Sequence, residues 1–133
     1  MSSLVADASF LATLLIATDD SREWAEALAQ KADVVHVPHL ARIEVLNNLR
    51  KLEFRELYTP QQTETAVQLL MALPLQEWPL DGLHVRIWSL RNNVSPYDAW
   101  YVALAEYLEL PLATCDARLS RANGPTCAFL LAP

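Results

Sequence analysis

Residues 95–106 read SPYDAWYVALAE, a helix-start signal with one acidic residue planted where the helix begins. Ser95 suits the N-cap, Pro96 the first helical position, where its missing N–H costs nothing, and Asp98 the third, inside the positive end of the helix dipole. Behind Asp98 the residues are almost all apolar up to Glu106, so this helix is expected to be largely buried. Asp98 then stands at the mouth of something covered on most sides. Taken alone it has a plain explanation, because a Ser-x-x-acid capping box wants an acid there.

Its company suggests another. Asp7 follows the apolar run Leu4-Val5-Ala6, and Asp116 follows Leu112-Ala113-Thr114-Cys115, so both read as acids at the ends of buried strands. Glu44 lies early in a further helix, beside Ile43 and Val45. Four carboxylates on apolar elements are costly to bury as unpaired charges; protonation, cationic partners or a metal ion relieve the cost. No comparable set of basic partners is visible. His36, His39 and His84 fall in no HExxH-like spacing, so zinc is not expected, and an all-oxygen ligand set suits magnesium or manganese.

The rest of the chain alternates strand and helix. A strand over 4–6 leads into a helix over 9–17, apolar almost all round, which Asp19-Asp20-Ser21 stops before a second helix over 22–31. The β-branched run 34–37, ended by Pro38, reads as the second strand. A helix over 39–54 carries Leu40, Ile43, Leu46 and Leu49 on one stripe, with Glu44, Asn47 and Asn48 on the neighbouring one. Thr59-Pro60 starts a fourth helix running to about 73, and Pro74 and Pro79 bracket a short strand over 75–78, placed near a sheet edge by its prolines. A helix over 82–92 precedes the opening stretch. A strand over 112–115, a short helix over 117–122 and a last strand over 127–131 follow it. This pattern predicts an α/β fold with a parallel, doubly wound sheet of about five strands, helices on both faces and right-handed crossovers, in one domain over 1–133. Ligands of such sheets gather at the carboxyl ends of the strands, where strand order reverses. If the first and fourth strands are neighbours, Asp7 and Asp116 face each other, and the helices bearing Glu44 and Asp98 open onto the same crevice.

Composition narrows the function. With 133 residues, 53% hydrophobic and 20% charged, the chain can enclose one core. Its 2 glycines exclude a glycine-rich phosphate cradle, and neither GxGxxG nor GK[ST] occurs. The net charge of −6 argues against non-specific nucleic-acid binding through a generally basic surface. Arg42, Arg50, Lys51 and Arg55, and separately Arg118 and Arg121, still form local groups that either face phosphate or solvate a helix face. Cys115 and Cys127 form no CxxC pair and read as buried free thiols of a reducing compartment. The N-terminus lacks a basic region, its apolar run is broken by Asp7, and 10–17 is too short to span a bilayer, so the expectation is a cytoplasmic protein with no membrane segment.

These residues resemble the PIN-domain nucleases and, within them, the VapC-type toxins of bacterial toxin–antitoxin pairs. The likeness covers the whole chain. It rests on Asp7-Ala8-Ser9 after the first strand, Glu44 in Ala41-Arg42-Ile43-Glu44, Ser95-Pro96-Tyr97-Asp98-Ala99 with Ala103-Leu104-Ala105 behind it, and Thr114-Cys115-Asp116 at the fourth strand. The resemblance implies an endoribonuclease dependent on Mg2+ or Mn2+, with an acidic tetrad at Asp7, Glu44, Asp98 and Asp116, and with Ser9 and Thr114 as supporting hydroxyls. It also implies a homodimer held inactive by a cognate antitoxin. Some relatives carry another acid shortly after the fourth-strand aspartate; Ala117 and Arg118 stand there here, which puts a second tightly held metal in doubt. Asp7, Asp98 and Asp116 are assigned to the metal, Glu44 to its edge or to the nucleophilic water, and Arg118 either to substrate phosphate or to the surface.

Two other readings compete. An aspartyl-phosphate receiver or phosphatase-like domain would use Asp7 as nucleophile, but needs a lysine near a later strand, and Lys31 and Lys51 do not sit there. A metal-free interaction module would use the acids only as caps and solvated ends, and predicts no stabilisation by magnesium or manganese. Trp24, Trp78, Trp88 and Trp100 are expected to be mostly core, with any exposed subset serving a dimer or antitoxin surface.

Overall fold

A computed structural model describes residues 2–133. The elements run β1 (Ser2–Ala6), α1 (Ala8–Ile16), α2 (Asp20–Lys31), β2 (Ala32–Pro38), α3 (Ala41–Phe54), α4 (Pro60–Ala72), β3 (Leu75–Trp78), α5 (His84–Ser89), α6 (Pro96–Leu108), β4 (Leu112–Thr114), α7 (Ala117–Ser120) and β5 (Phe129–Leu131). The strands form one parallel sheet in the order β3-β2-β1-β4-β5. The chain therefore winds outward from β1 to β3, then returns to the other side of β1. The first and fourth strands are neighbours, with Val5 opposite Leu112 and Ala6 opposite Ala113. Strand order reverses there, at the carboxyl ends just before Asp7 and Asp116.

Two helical layers cover the sheet. α1 buries Phe10, Leu11, Leu15 and Ile16 and touches α2, α3 and α4, so one short helix anchors the first layer. Phe10 meets Trp24 of α2 edge-on at 5.4 Å. α6 packs over β1, β2 and β4 with α5 against it, and right-handed crossovers put this pair on the opposite face. Its buried run from Ala99 to Ala105 is what the apolar 95–106 stretch predicted, interrupted only by half-buried Trp100. Each large side chain enclosed in this way contributes about 1.5–3 kcal/mol.

Several boundaries differ from the sequence expectation. α3 starts at Ala41 rather than 39, because Pro38 still pairs with Trp78 and the His39 N–H donates to the Trp78 carbonyl at 2.9 Å. α5 spans only His84–Ser89; Gly82, with φ of +83°, lies before it, and turns closed by Leu90, Asn93 and Val94 follow. β5 begins at Phe129, two residues late. Trp24, Trp78 and Trp100 are half-buried against the core, whereas Trp88 is 66% exposed. β3 is an edge strand, as its flanking prolines indicated. Among the described residues no helix is long and apolar enough to cross a membrane.

Candidate active site

The turn after β1 places Asp7 in a buried position that its fold role alone would justify. Asp7 is the N-cap of α1: Oδ1 accepts the Phe10 N–H at 2.9 Å and the Ser9 hydroxyl at 2.6 Å. Oδ2 accepts the hydroxyl of Thr114, the last residue of β4, and the Asp7 N–H donates to the Ala113 carbonyl at 3.1 Å. Thr114, fully buried, also takes the Asp116 N–H at 3.0 Å, and Ser9 Oγ takes the Cys115 N–H at 2.9 Å. Two hydroxyls thus stitch the ends of β1 and β4 together. Asp116 in turn caps α7, its Oδ1 accepting the N–H groups of Arg118 and Leu119 at 2.9 and 3.1 Å.

The other two acids arrive on helices from opposite layers. Glu44, in the first turn of α3, accepts a 2.6 Å hydrogen bond on Oε1 from the hydroxyl of Tyr101 on α6. Asp98 sits one turn before Tyr101. Its N–H donates to Ser95 Oγ at 3.3 Å, so Ser95 is the N-cap, but no return bond from the Asp98 carboxylate to the Ser95 N–H closes a capping box among the described residues. Thr59 and Gln62 at the start of α4 form both halves of such a box. The capping explanation of Asp98 is therefore incomplete.

Asp7, Glu44, Asp98 and Asp116 line one cavity of about 220 Å³ at the carboxyl edge of the sheet, together with Ser9 and Tyr101. Burial pushes the Asp7 carboxyl up, against the hydrogen bonds of Ser9, Thr114 and Phe10, and the Asp98 charge adds to the rise. Glu44 is pushed up by burial and then by Asp98 and Asp7, with the Tyr101 bond opposing. Asp98 is pushed up by burial and by Asp116, with the Ser95 side chain opposing. Three neighbouring carboxyls thus resist ionisation, through burial first and the charge of neighbouring acids second, and a nearby cation would relieve both. Glu44 Oε2 and Asp116 Oδ2 accept no hydrogen bond from the described residues, which leaves hard oxygen donors turned to the cavity. No three acids, histidines or thiols among the described residues are drawn into a preformed metal cage. The donor chemistry and the open volume fit magnesium or manganese bound with part of its water shell, the habit of a small divalent ion that dehydrates reluctantly.

A family model described as the PIN domain matches residues 4–125. Ribonuclease VapC9 of Mycobacterium tuberculosis is 36% identical over 130 residues, covering 98% of both chains. Ribonuclease VapC12 of the same organism is 34% identical over 121 residues, 91% of this chain and 92% of that one. The chain belongs to the PIN-domain family, among the VapC ribonucleases. Solved structures agree on the fold of this PIN domain. Mycobacterium tuberculosis VapC20, described as a Sarcin-Ricin loop cleaving toxin, gives a TM-score of 0.66 at 20% identity, with 89% of this chain and 93% of that one covered. VapBC2 of Rickettsia felis, bound to a DNA fragment from its promoter, gives 0.69 at 12% identity and 98% coverage of each.

The PIN domain also brings residues to the cavity that sequence reasoning did not single out as site members. Tyr101 belongs by pattern to the apolar stretch behind Asp98, yet Asp98 and Tyr101, one turn apart on α6, both face the acids. Asn47, Asn48 and Lys51 join Glu44 along α3, and the spacing Glu44, Asn48, Lys51 of four and then three residues is the signal that points to it. Two members of the basic group at Arg42, Arg50, Lys51 and Arg55 are engaged within the chain. Arg42 is paired with Glu77 at 3.1 Å and donates to the carbonyls of Leu70 and Leu73, fastening α3 to the end of α4, while Arg50 lies over the Phe54 ring. Arg118 and Arg121 line a second cavity of about 480 Å³ that shares Asp98 and Asp116 with the first.

Proposed function

We propose that this PIN domain, spanning 1–133 as one unit, is a divalent-metal-dependent endoribonuclease that hydrolyses RNA phosphodiester bonds at the acid-lined cavity. The observation that carries the reading is the meeting of Asp7, Glu44, Asp98 and Asp116, from two strand ends and two helices, in one polar cavity. The naming of its 36%-identical relative as a ribonuclease supports it. Asp7, Asp98 and Asp116 would hold Mg2+ or Mn2+ directly or through water, with Glu44 at the edge of the site. Bound there, a divalent ion supplies charge neutralisation for the phosphate and a water of lowered pKa. The chain's own groups do the rest. Ser9 and Thr114 fix Asp7 against the β4 end, Tyr101 aims Glu44 into the cavity to orient the attacking water, and Arg118 takes a substrate phosphate at the rim.

A toxin role with a cognate antitoxin and a homodimeric state belongs to the same reading, supported by the VapBC complexes among the structural neighbours. Trp88 and Tyr97, the latter 62% exposed, edge an apolar groove with Leu40 and Leu80 beside the start of α6; this is the surface the reading offers to such partners. The test is cleavage of a mixed structured-RNA panel with magnesium or manganese, against EDTA and against Asp98→Asn. RNA cut only by the wild type with metal is the expected result. Equal cutting by both proteins identifies a contaminant, and no cutting together with no metal-dependent thermal shift overturns the nuclease reading.

A further inference from the structure

A polyanion that crosses an acidic centre needs cations on both sides of it, because the phosphates flanking the scissile one are repelled by any carboxylate charge left uncompensated. One side is supplied by Arg118 and Arg121, in the cavity that shares Asp98 and Asp116 with the acid cavity. The other side is α3. Along it Glu44, Asn47, Asn48 and Lys51 line the acid cavity in succession, passing from carboxylate through amides to ammonium. Seven residues of helix rise put Lys51 about 10 Å along the axis from Glu44, clear of the acids but on the same wall. The ion pairs among the described residues are Arg22–Glu26, Arg42–Glu77 and Arg86–Glu106, so Lys51, Arg118 and Arg121 have no carboxylate partner there. A lysine that lines a four-acid cavity without pairing to any of its acids is left for an external anion.

From this geometry we propose that Lys51 is the second anchor of the substrate strand. It seats a phosphate on the α3 side of the scissile bond, with the Asn47 and Asn48 amides along the path between, while Arg118 and Arg121 seat the strand on the α7 side. The RNA thus crosses the acid cavity from α3 to α7. The inference rests on the nuclease reading and adds to it a course for the strand and a residue that sets it.

The test is the salt dependence of binding, read by fluorescence anisotropy of a short labelled single-stranded RNA of mixed sequence in magnesium buffer. An Asp98→Asn background keeps the strand intact. Each lost phosphate contact lowers the slope of log affinity against log salt by about 0.7 for a single strand. Lys51→Gln is expected to lower the slope by that amount, Lys51→Arg to restore it, and Lys51→Gln with Arg118→Gln to lower it by about twice as much. Lys31 is the chain's other lysine and lies at the opposite end of the sheet, where α2 enters β2, so Lys31→Gln removes the same charge and is expected to leave the slope unchanged. An unchanged slope for Lys51→Gln, or equal losses at Lys31 and Lys51, overturns the anchor while leaving the nuclease reading standing. Absence of RNA binding by the parent protein overturns both.

Discussion

Replacing Tyr101 by Phe removes one oxygen from a residue that is 1% exposed and leaves its ring packing unchanged. The oxygen donates the 2.6 Å bond to Glu44 and keeps its proton to do so, because burial and the surrounding acids push the phenol far above its ordinary range. A hydrogen bond to an ionised group contributes about 1.5–3 kcal/mol. Glu44 borders an open cavity, so water replaces part of the lost bond and the lower end, about 1.5 kcal/mol, applies. With an unfolding entropy of about 2.1 cal/mol/K per residue, roughly 0.28 kcal/mol/K for the whole chain, the melting temperature should fall by about 5 °C. The sign of the pH dependence follows from which form of Glu44 the bond favours. It favours the carboxylate and so lowers the folded-state pKa relative to an unbonded Glu44. Its stabilisation is therefore present where Glu44 is ionised and is lost as pH falls through the raised Glu44 value. Thermal melts of wild type, Tyr101→Phe, Glu44→Ala and the double variant in EDTA, at neutral and acidic pH, give the coupling directly. A coupling below about 0.5 kcal/mol at neutral pH, the scatter expected of independent sites, or one that does not shrink in acid, refutes the reasoning.

Asp98→Asn should stabilise the metal-free protein at neutral pH. The folded state holds the Asp98 proton more tightly than the unfolded chain, so wild-type stability falls as pH rises from the ordinary carboxyl value of 3.8 through the raised one, and the gain over wild type should vanish in acid melts. Magnesium or manganese at a hundred times its dissociation constant should add about 2.7 kcal/mol to the wild type, roughly 10 °C, and visibly less to Asp98→Asn in the same thermal-shift assay. Thr114→Val keeps the shape but strips Asp7 of a donor and leaves the Asp116 N–H unpaired; a loss of about 1–3 kcal/mol in urea unfolding is expected, with metal affinity reduced alongside. Arg42→Met should cost about 2–3 kcal/mol through the lost bonds to Glu77, Leu70 and Leu73, while leaving the salt slope of RNA binding unchanged, because this arginine fastens helices rather than facing phosphate.

Much of the architecture was written in local patterns. The Ser95-Pro96 start of α6, the alternation of strands and helices, and the prolines around β3 each follow from a backbone constraint that acts within a few residues, and the structure shows all three. The adjacency of β1 and β4 could be stated only as a condition, since nothing local encodes which strands pair across a hundred residues; burial of Val5, Ala6, Leu112 and Ala113 on both faces decides it. What escaped were residues with two plausible uses. Tyr101 satisfies an apolar pattern, and only the arrival of Glu44 from another layer gives its hydroxyl a partner. Arg42 and Lys51 look alike in sequence, yet one is consumed by the carbonyls at the end of α4 and the other is left at the cavity wall, a distinction made by the packing of α3 on α4. Lys51 lines the acid cavity from α3, although it follows no late strand. It is the strand order and the family, rather than lysine placement, that set the receiver-like alternative aside.

The four acids do not carry equal weight as signs of function. Asp7 and Asp116 are N-caps with two or three donors each, and a fold with no activity would retain them for that alone. Glu44 and Asp98 have no such excuse. Glu44 occupies a first helical turn, where the dipole favours an acid, but it is also the one hydrogen-bond acceptor the buried Tyr101 phenol has among the described residues. Asp98 lacks the bond that would make it half of a capping box, and both acids are held above their ordinary pKa by burial first, with the charges of Asp98 and Asp7 adding to the rise at Glu44 and that of Asp116 adding to the rise at Asp98. A sequence shaped for stability alone would place amides at 44 and 98, which keep the hydrogen bonds and remove the repulsion. That an acid stands at each position, facing two further acids in an open cavity, is what the proposed cation site would use, and it makes 44 and 98 the positions where neutral substitution should separate binding from folding most cleanly.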